Sequence, residues 1–160
     1  MGLANATAIV LGKAIGENKP RAAEIYASRF IKLTLIFGTV GGLLVLMVGP
    51  IAGRFMTLSE QSKDYLNFMM IIMSYFCVCQ AYNTTAIVGV FRAGGDTTFG
   101  LILDVATLWC GSILASWVCA FVLHLPVKVV YVVLLSDEVI KIPFSYMRYR
   151  QKKWLRNVTR

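Results

Sequence analysis

Long stretches without a charged residue constrain this chain more than any other feature of its sequence. Leu33 to Gly53 and Tyr65 to Phe91 are both longer than the roughly 20 apolar residues that a helix needs to cross a bilayer. Val105 to Leu123 is a third stretch, and Val127 to Met147 is a fourth candidate that Asp137, Glu138 and Lys141 interrupt. With 58% hydrophobic residues in 160 positions, the chain is too apolar for a soluble domain. The sequence therefore predicts an all-α, polytopic transmembrane helix bundle.

A shorter apolar segment, Met1 to Gly12, precedes these four stretches. It is too short to cross a bilayer by itself, so we expect it to be the later part of a helix that begins before Met1. We therefore expect residues 1–147 to be a partial transmembrane lobe with about four full helices and one truncated helix. Residues 148–160 are then a basic tail.

The sixteen Lys and Arg residues give a net charge of +8, and most of them lie near the ends of the apolar stretches. If the tail is cytoplasmic, thirteen of the sixteen fall on the cytoplasmic side, while Arg54, Lys63 and Lys128 fall outside. Cytoplasmic loops of membrane proteins carry such an excess of Lys and Arg. We therefore expect a multi-pass protein of the cell (inner) membrane with a cytoplasmic C-terminus. Its partner is the lipid bilayer and not nucleic acid.

Signatures of catalysis are absent from the sequence. It contains no glycine-rich phosphate loop, no Cys-x-x-Cys pair and no nucleophile elbow. Cys77 and Cys79 are two residues apart and point about 200° away from each other on a helix, so they cannot easily share a metal ion. We expect neither an enzyme nor a bound metal or cofactor.

Small residues recur at every fourth position in two of the apolar segments. Gly38 and Gly42 form one such stripe, with Pro50 predicting a kink or an early end of the same helix. Small residues at this spacing allow close approach of helices in lipid. The first segment has a longer stripe with the same spacing: Ala4, Ala8, Gly12 and Gly16.

Ionisable residues inside the apolar stretches need a partner or a wet cavity, because each costs about 2.5 to 3.5 kcal/mol on insertion scales. The candidates are Asp104, Asp137, Glu138 and Lys141. Asp104 and Lys141 lie at similar depths if their helices are antiparallel neighbours, so an ion pair between them is geometrically possible. Glu138 is three residues before Lys141 and shares its helix face. The three residues could be a proton or cation relay, or a static pair that neutralises buried charge.

Polar residues also form two stripes on neighbouring helices. Gln80, Asn83 and Thr84 share one face, and Thr107 and Ser112 share another with Asp104. Either stripe could line a cavity or could hydrogen-bond one helix to another. Tyr82 could add an aromatic face for an organic cation.

Several motifs in order along the whole chain resemble the multidrug and toxin extrusion family of transporters. The most specific is Gly89-Val90-Phe91-Arg92-Ala93-Gly94-Gly95-Asp96-Thr97, which is similar to the turn after the tenth helix of that family. The opening Gly2-Leu3-Ala4-Asn5-Ala6 resembles the eighth helix. Later matches include Asp104 with Trp109, Leu125-Pro126, Glu138 with Lys141, and Lys153-Trp154.

This resemblance implies the C-terminal portion of a twelve-helix, two-lobed transporter. It implies a secondary active antiporter that exports drugs or other small cationic or amphipathic compounds in exchange for Na⁺ or H⁺. The N-terminal lobe and helix seven lie outside this chain and would be its partners. Some family members bind the coupling ion through an acidic residue in helix ten, where this sequence has Gln80 and Asn83. Asp104 and Glu138 are then the acids for that role in this chain.

Two alternative functions stay open at this point. A flippase for lipid-linked saccharides would be favoured by a broad basic cavity, and drug export by a cavity with net acidic lining. A non-transporting membrane fragment or assembly subunit is the other alternative, because five segments with one truncated do not form two lobes.

Overall fold

We analysed a computed structural model of the chain, which describes residues 1–55 and 59–155. All regular structure in these residues is helical, and no strand is present among them. The predicted all-α fold class is therefore confirmed. We number the helices in chain order: α1 Gly2–Gly16, α2 Pro20–Phe55, α3 Glu60–Phe91, α4 Thr97–Val122, α5 Val127–Leu134 and α6 Asp137–Arg150.

Three of the helices are long and apolar enough to cross a membrane. They are α2 over Pro20–Ile51 with 32 residues, α3 with 32 residues and α4 with 26 residues. Their large apolar side chains remain exposed along much of their length, as at Ile36, Phe37 and Leu101, which are 60%, 61% and 64% exposed. Such exposure suits lipid and not water. The predicted membrane bundle is confirmed, and α1 is shorter than a full span.

The fourth predicted stretch, Val127 to Met147, is not one helix, and on this point the sequence prediction was wrong. Helix α5 ends at Leu134 after eight residues, and α6 begins at Asp137. The Ser136 hydroxyl donates to the carbonyl of Val133 at 2.6 Å. In a continuous α-helix this carbonyl would accept from the backbone N–H of Asp137. The acids Asp137 and Glu138 then occupy the first turn of α6, where the positive end of the helix dipole favours negative charge.

Close contact between α2 and α3 explains the glycine stripe in α2. A Cβ atom at Gly42 would lie 2.7 Å from the Ser74 carbonyl oxygen, and one at Gly38 would lie 2.9 Å from the Cβ of Ala81. The stripe is therefore the packing surface that the sequence predicts. Helix α2 nevertheless continues through Pro50 to Phe55, so the proposed early end at Pro50 is wrong.

Helix α1 packs through a different face from the one that its small residues suggest. At Gly12 and Gly16 no neighbouring atom lies within 4 Å of the position that a Cβ would occupy. The buried residues of α1 are Ala4, Thr7, Leu11, Ala14 and Ile15. Larger side chains thus make this contact, which includes Thr7 against Gly89 of α3. Gly12 and Gly16 of the predicted stripe therefore make no close helix contact among residues 1–55 and 59–155.

The two ends of the bundle are tied by different residues. At one end Lys152 pairs with Glu24 at 2.7 Å, and Arg148 pairs with Asp96. At the other end Lys128 pairs with Asp64 at 2.5 Å. The start of α2, the turn before α4 and the C-terminal segment therefore share one end, as the alternation of basic residues predicts. We call this the basic end.

Candidate functional site

The Lys141 ammonium group lies among three carboxylates in the interior of the bundle. Its Nζ atom is 3.1 Å from Asp104, 3.0 Å from Asp137 and 3.2 Å from Glu138. An ammonium group has three N–H donors, so three acceptors can satisfy all of them. We call Lys141 and these three acids the intramembrane charge cluster. Asp104 and Lys141 are thus paired, as their depths in the helices suggest.

The break between α5 and α6 positions most of this cluster. Because α6 begins at Asp137, Lys141 lies one turn later and on the same face as both Asp137 and Glu138. Asp104 comes from α4 and completes the ring from the other side. The side chains of Lys141, Asp137 and Glu138 are only 6%, 9% and 12% exposed, whereas Asp104 is 46% exposed. Asp104 is therefore the member of the cluster that solvent or a solute can reach most easily.

Asn83 of α3 holds Glu138 in place through two hydrogen bonds. Its Nδ2 group donates to the Glu138 carboxylate at 2.8 Å and to the Glu138 backbone carbonyl at 2.6 Å. The Ser145 hydroxyl donates to the Asn83 Oδ1 atom at 3.2 Å, which fixes the orientation of the amide. Asn83 and Ser145 are both buried. Glu138 thus has one oxygen on Lys141 and the other on Asn83, with little freedom to move.

A cavity of about 530 Å³ lies directly beside the cluster. Its polar wall includes Gln80, Asn83 and Thr84 from α3, so this predicted stripe does line a cavity. Apolar side chains such as Phe76 and Leu108 form much of the remainder. The only ionisable side chains in its wall, among the residues that the structure describes, are those of the charge cluster. The cavity is therefore amphipathic, with an acidic polar side.

Three other predicted lining residues, Tyr82, Thr107 and Ser112, do not line this cavity. Tyr82 is two residues from Gln80, which turns its ring to the opposite side of α3, where it is buried. Thr107 donates its hydroxyl proton to the Leu103 carbonyl of its own helix at 2.7 Å. Ser112 is fully buried, and within residues 1–55 and 59–155 its hydroxyl has no hydrogen-bond partner.

Ser145 is a part of the site that the sequence prediction did not include, and Asp137 was predicted to need a partner but was not assigned one. Asp137 is four residues before Lys141, and this spacing is a usable signal for an ion pair on a helix. Ser145 carries no comparable signal, because its partner Asn83 is 62 residues away in the sequence. The turn at Leu135 and Ser136 lies within an apolar run and was missed for that reason.

A second charged contact ties the C-terminal segment to the turn before α4. The Arg148 guanidinium donates to both oxygens of Asp96, at 2.6 and 2.9 Å, and lies 4.5 Å from the ring centre of Phe99. Next to it, Trp154 is 1% exposed and packs on Gly94, where a Cβ would overlap the Trp154 carbonyl oxygen. We call Asp96, Arg148, Gly94 and Trp154 the tail clamp. Helix α6 thus continues to Arg150, and the segment through Trp154 packs against the bundle.

The two contacts differ in net charge. The tail clamp pairs one acid with one base, whereas the intramembrane cluster has three acids for one base. If all four groups of the cluster were ionised, it would carry two unneutralised negative charges. Within the described ranges, no group of three or more acidic, His or Cys side chains has the arrangement of a metal site. The acids surround the Lys141 ammonium, and the excess charge faces the cavity through Asp104.

Comparison with known proteins gives the family. The family model MatE matches residues 1–130, which is most of the chain and includes Asn83 and Asp104. No curated protein and no solved structure is significantly similar to the chain. The matched residues cover most of the motifs on which the resemblance to multidrug and toxin extrusion transporters depends. The chain therefore belongs to the MatE family of membrane transporters.

Proposed function

We propose that this chain forms the C-terminal part of a secondary active antiporter that exports small cationic or amphipathic compounds in exchange for Na⁺ or H⁺. One observation carries the proposal: three carboxylates share a single ammonium group beside an amphipathic cavity. The N-terminal lobe and helix seven of a twelve-helix transporter would complete the cavity. The basic end would face the cytoplasm, since Lys and Arg are enriched there.

Charge balance links the cluster to ion coupling. Unneutralised carboxylates in a membrane interior are costly, so the cluster should take up a proton, a metal cation or a cationic solute. These ligands compete for the same negative charge. Binding of an organic cation would therefore favour release of the coupling ion, which is the thermodynamic requirement of an antiporter. Asp104, the exposed member, would receive the ligand, and the Lys141 ammonium would then be shared by Asp137 and Glu138.

The same charge balance argues against a flippase for lipid-linked saccharides. A diphosphate-linked substrate needs a basic cavity, whereas this one has net acidic lining. A non-transporting membrane fragment or assembly subunit is distinguished from a transporter by assay and not by charge. If the complete reading frame moves no solute under any gradient, that alternative is favoured.

The proposal can be tested in proteoliposomes that contain the protein of the complete reading frame. Efflux of a fluorescent organic cation is followed while a proton gradient and a sodium gradient are imposed separately. We expect one of the two gradients to drive efflux and the other to have little effect. Absence of efflux under both gradients would contradict the antiporter.

Glu138→Gln tests the role of the cluster in coupling. Gln has nearly the same size as Glu, and its carbonyl oxygen can still accept the hydrogen bond from Asn83. Lys141 keeps its salt bridges with Asp104 and Asp137. We expect gradient-driven efflux to fall about tenfold or more, equal to about 1.4 kcal/mol on the coupled step. Normal expression and thermal stability should accompany this loss.

Asp64→Asn is the matched control for Glu138→Gln. It also removes one carboxylate that is paired with a Lys residue, but Asp64 is 71% exposed at the opposite end from the basic end. We expect wild-type efflux for this control. Equal transport by Glu138→Gln and the wild type would exclude Glu138 from ion coupling and leave the cluster as a static neutralised group.

A further inference from the structure

A second cavity, separate from the intramembrane cluster, lies at the basic end where the start of α2 meets the C-terminal segment. Its volume is about 610 Å³. Four cationic residues and one acid contribute to its wall: Arg29, Lys32, Arg150, Lys152 and Glu24. The cations therefore exceed the acid by three charges. This is the reverse of the charge balance in the cavity beside Lys141.

Most of this positive charge has no anionic partner in the part of the chain that the structure describes. Lys152 pairs with Glu24 at 2.7 Å. Across residues 1–55 and 59–155, Arg29, Lys32 and Arg150 form no salt bridge. Cationic groups around one concave space repel each other, and an anion bound between them would remove that repulsion. The cavity therefore has the charge and size of an anion-binding site.

The position of the cavity along α2 indicates the source of the anion. Lys32 is the last charged residue before the uncharged stretch from Leu33 to Gly53, so it marks the boundary of the hydrocarbon core. Arg29, Lys32 and Ile36 follow one another at helical spacings of three and four, which places them on one face of α2. Ile36 is 60% exposed. A charged groove thus continues into an exposed apolar surface.

Aromatic residues form the wall opposite α2. The rings of Tyr149 and Trp154 stack with centroids 6.0 Å apart and an angle of 5°, and both residues line the cavity. Tyr and Trp are enriched at the headgroup level of membranes. Arg side chains bind phosphate oxygens through paired N–H groups, and Lys adds a point charge. All parts of a site for an amphipathic phosphate are therefore present.

We propose that this cavity binds the headgroup phosphate of an anionic phospholipid, with Arg29, Lys32 and Arg150 around the phosphate and the acyl chains along α2 past Ile36. This lipid site does not depend on which solute or coupling ion the transporter uses. The bound lipid would join α2 to the C-terminal segment at the same end as the tail clamp. Glu24 would weaken binding, because it places a negative charge in the same cavity and occupies Lys152.

Native mass spectrometry of the detergent-purified, full-length protein can test this site. Phosphatidylglycerol is titrated in one arm, phosphatidylcholine in a second, and inorganic phosphate competes with phosphatidylglycerol in a third. We expect one tightly bound phosphatidylglycerol per chain that phosphatidylcholine does not replace and millimolar inorganic phosphate does not displace. Displacement by inorganic phosphate would instead identify a site for free phosphate and overturn the lipid proposal.

Matched triple variants separate this cavity from general surface charge. The cavity variant carries Arg29→Gln, Lys32→Gln and Arg150→Gln, and the control carries Lys13→Gln, Arg21→Gln and Lys153→Gln, three exposed residues outside the cavity wall. We expect phosphatidylglycerol affinity to fall on the order of 100-fold in the cavity variant, from the usual contribution of each basic residue near an anionic surface. The control should stay close to the wild type. An equal loss of phosphatidylglycerol affinity in the cavity variant and the control variant would overturn the proposal.

Glu24→Gln provides a test that misfolding cannot imitate, because it should strengthen binding. Removing this carboxylate releases Lys152 and raises the net charge of the cavity by one. We expect phosphatidylglycerol to bind about fivefold more tightly. An unchanged or weaker affinity would contradict a phosphate bound between these cations.

Discussion

The intramembrane charge cluster and the tail clamp both join a cation of α6 to an acid near the start of α4, but they are built differently. In the clamp, Arg148 binds both oxygens of one acid, Asp96, and charge is balanced. In the cluster, Lys141 forms salt bridges with three acids, and negative charge is in excess. The clamp is closed by backbone packing at Gly94, whereas the cluster opens into a cavity.

This difference separates a structural contact from one that can respond to ligands. A balanced, bidentate pair gains nothing by taking up another ion, so the clamp is suited to holding the C-terminal segment in place. An unbalanced cluster changes its charge when a proton or cation arrives, and its hydrogen bonds must then rearrange. Substitutions at Lys141, Gly94 and Asp64 examine this contrast, and we expect their effects on stability to decrease in that order.

Replacing Lys141 with Met should have the largest effect on stability. The change removes the only cation of the cluster and leaves three carboxylates in a space where Asp137 and Glu138 are almost fully buried. Breaking a buried ion pair by removing one partner typically costs about 3 to 5 kcal/mol. We expect a marked fall in the thermal unfolding midpoint of the purified protein, together with poor expression.

A second change in the same cluster should partly restore stability. Lys141→Met combined with Asp137→Asn removes one of the stranded charges, so its unfolding midpoint should lie above that of Lys141→Met alone. If Lys141→Met leaves the midpoint unchanged, the acids are neutralised without Lys141. The cluster would then not depend on its ammonium group in the way that its geometry indicates.

Gly94→Ala should have an intermediate effect, confined to the tail clamp. The new methyl group would overlap the backbone oxygen of Trp154, so the C-terminal segment must move away from the turn. Overpacking of this kind costs typically 1 to 3 kcal/mol, and about 2 kcal/mol is expected here. Limited trypsin digestion should cut after Arg150, Lys152 or Lys153 faster than in the wild type.

Gly12→Ala is the matched control for this glycine. Gly12 lies inside α1, and apart from its own helix backbone no atom of the described residues is within 4 Å of the position of an added Cβ. Alanine should therefore be tolerated or should stabilise the helix by about 0.5 to 1 kcal/mol. Digestion of Gly94→Ala at the same rate as Gly12→Ala would show that Trp154 does not hold the segment against Gly94.

Asp64→Asn should have the smallest effect of the three. Its pair with Lys128 joins α3 to α5, but Asp64 is 71% exposed. Exposed ion pairs contribute about 0 to 1 kcal/mol, so the unfolding midpoint should change little. If the unfolding midpoint fell as far as in Lys141→Met, exposure would not determine how much these charged pairs contribute to stability.

Much of the cluster could be predicted from the sequence, but its geometry could not. Helix depth brings Asp104 and Lys141 to the same level. The cost of burying charge singles out all four members of the cluster: Asp104, Asp137, Glu138 and Lys141. The position of the helix break at Leu135 could not be predicted, because the apolar run around it has the same hydropathy in one helix or two.

A helical chain that resides in a membrane follows from hydropathy alone, because the transfer of apolar residues into lipid is nearly additive along a segment. The alternation of basic residues likewise predicts which segments share an end. Helix packing, in contrast, brings Asn83 to Glu138, Trp154 onto Gly94, and Arg29 and Arg150 into the wall of one cavity. These contacts join residues more than 50 positions apart, and helix packing, not local hydropathy, sets such pairs.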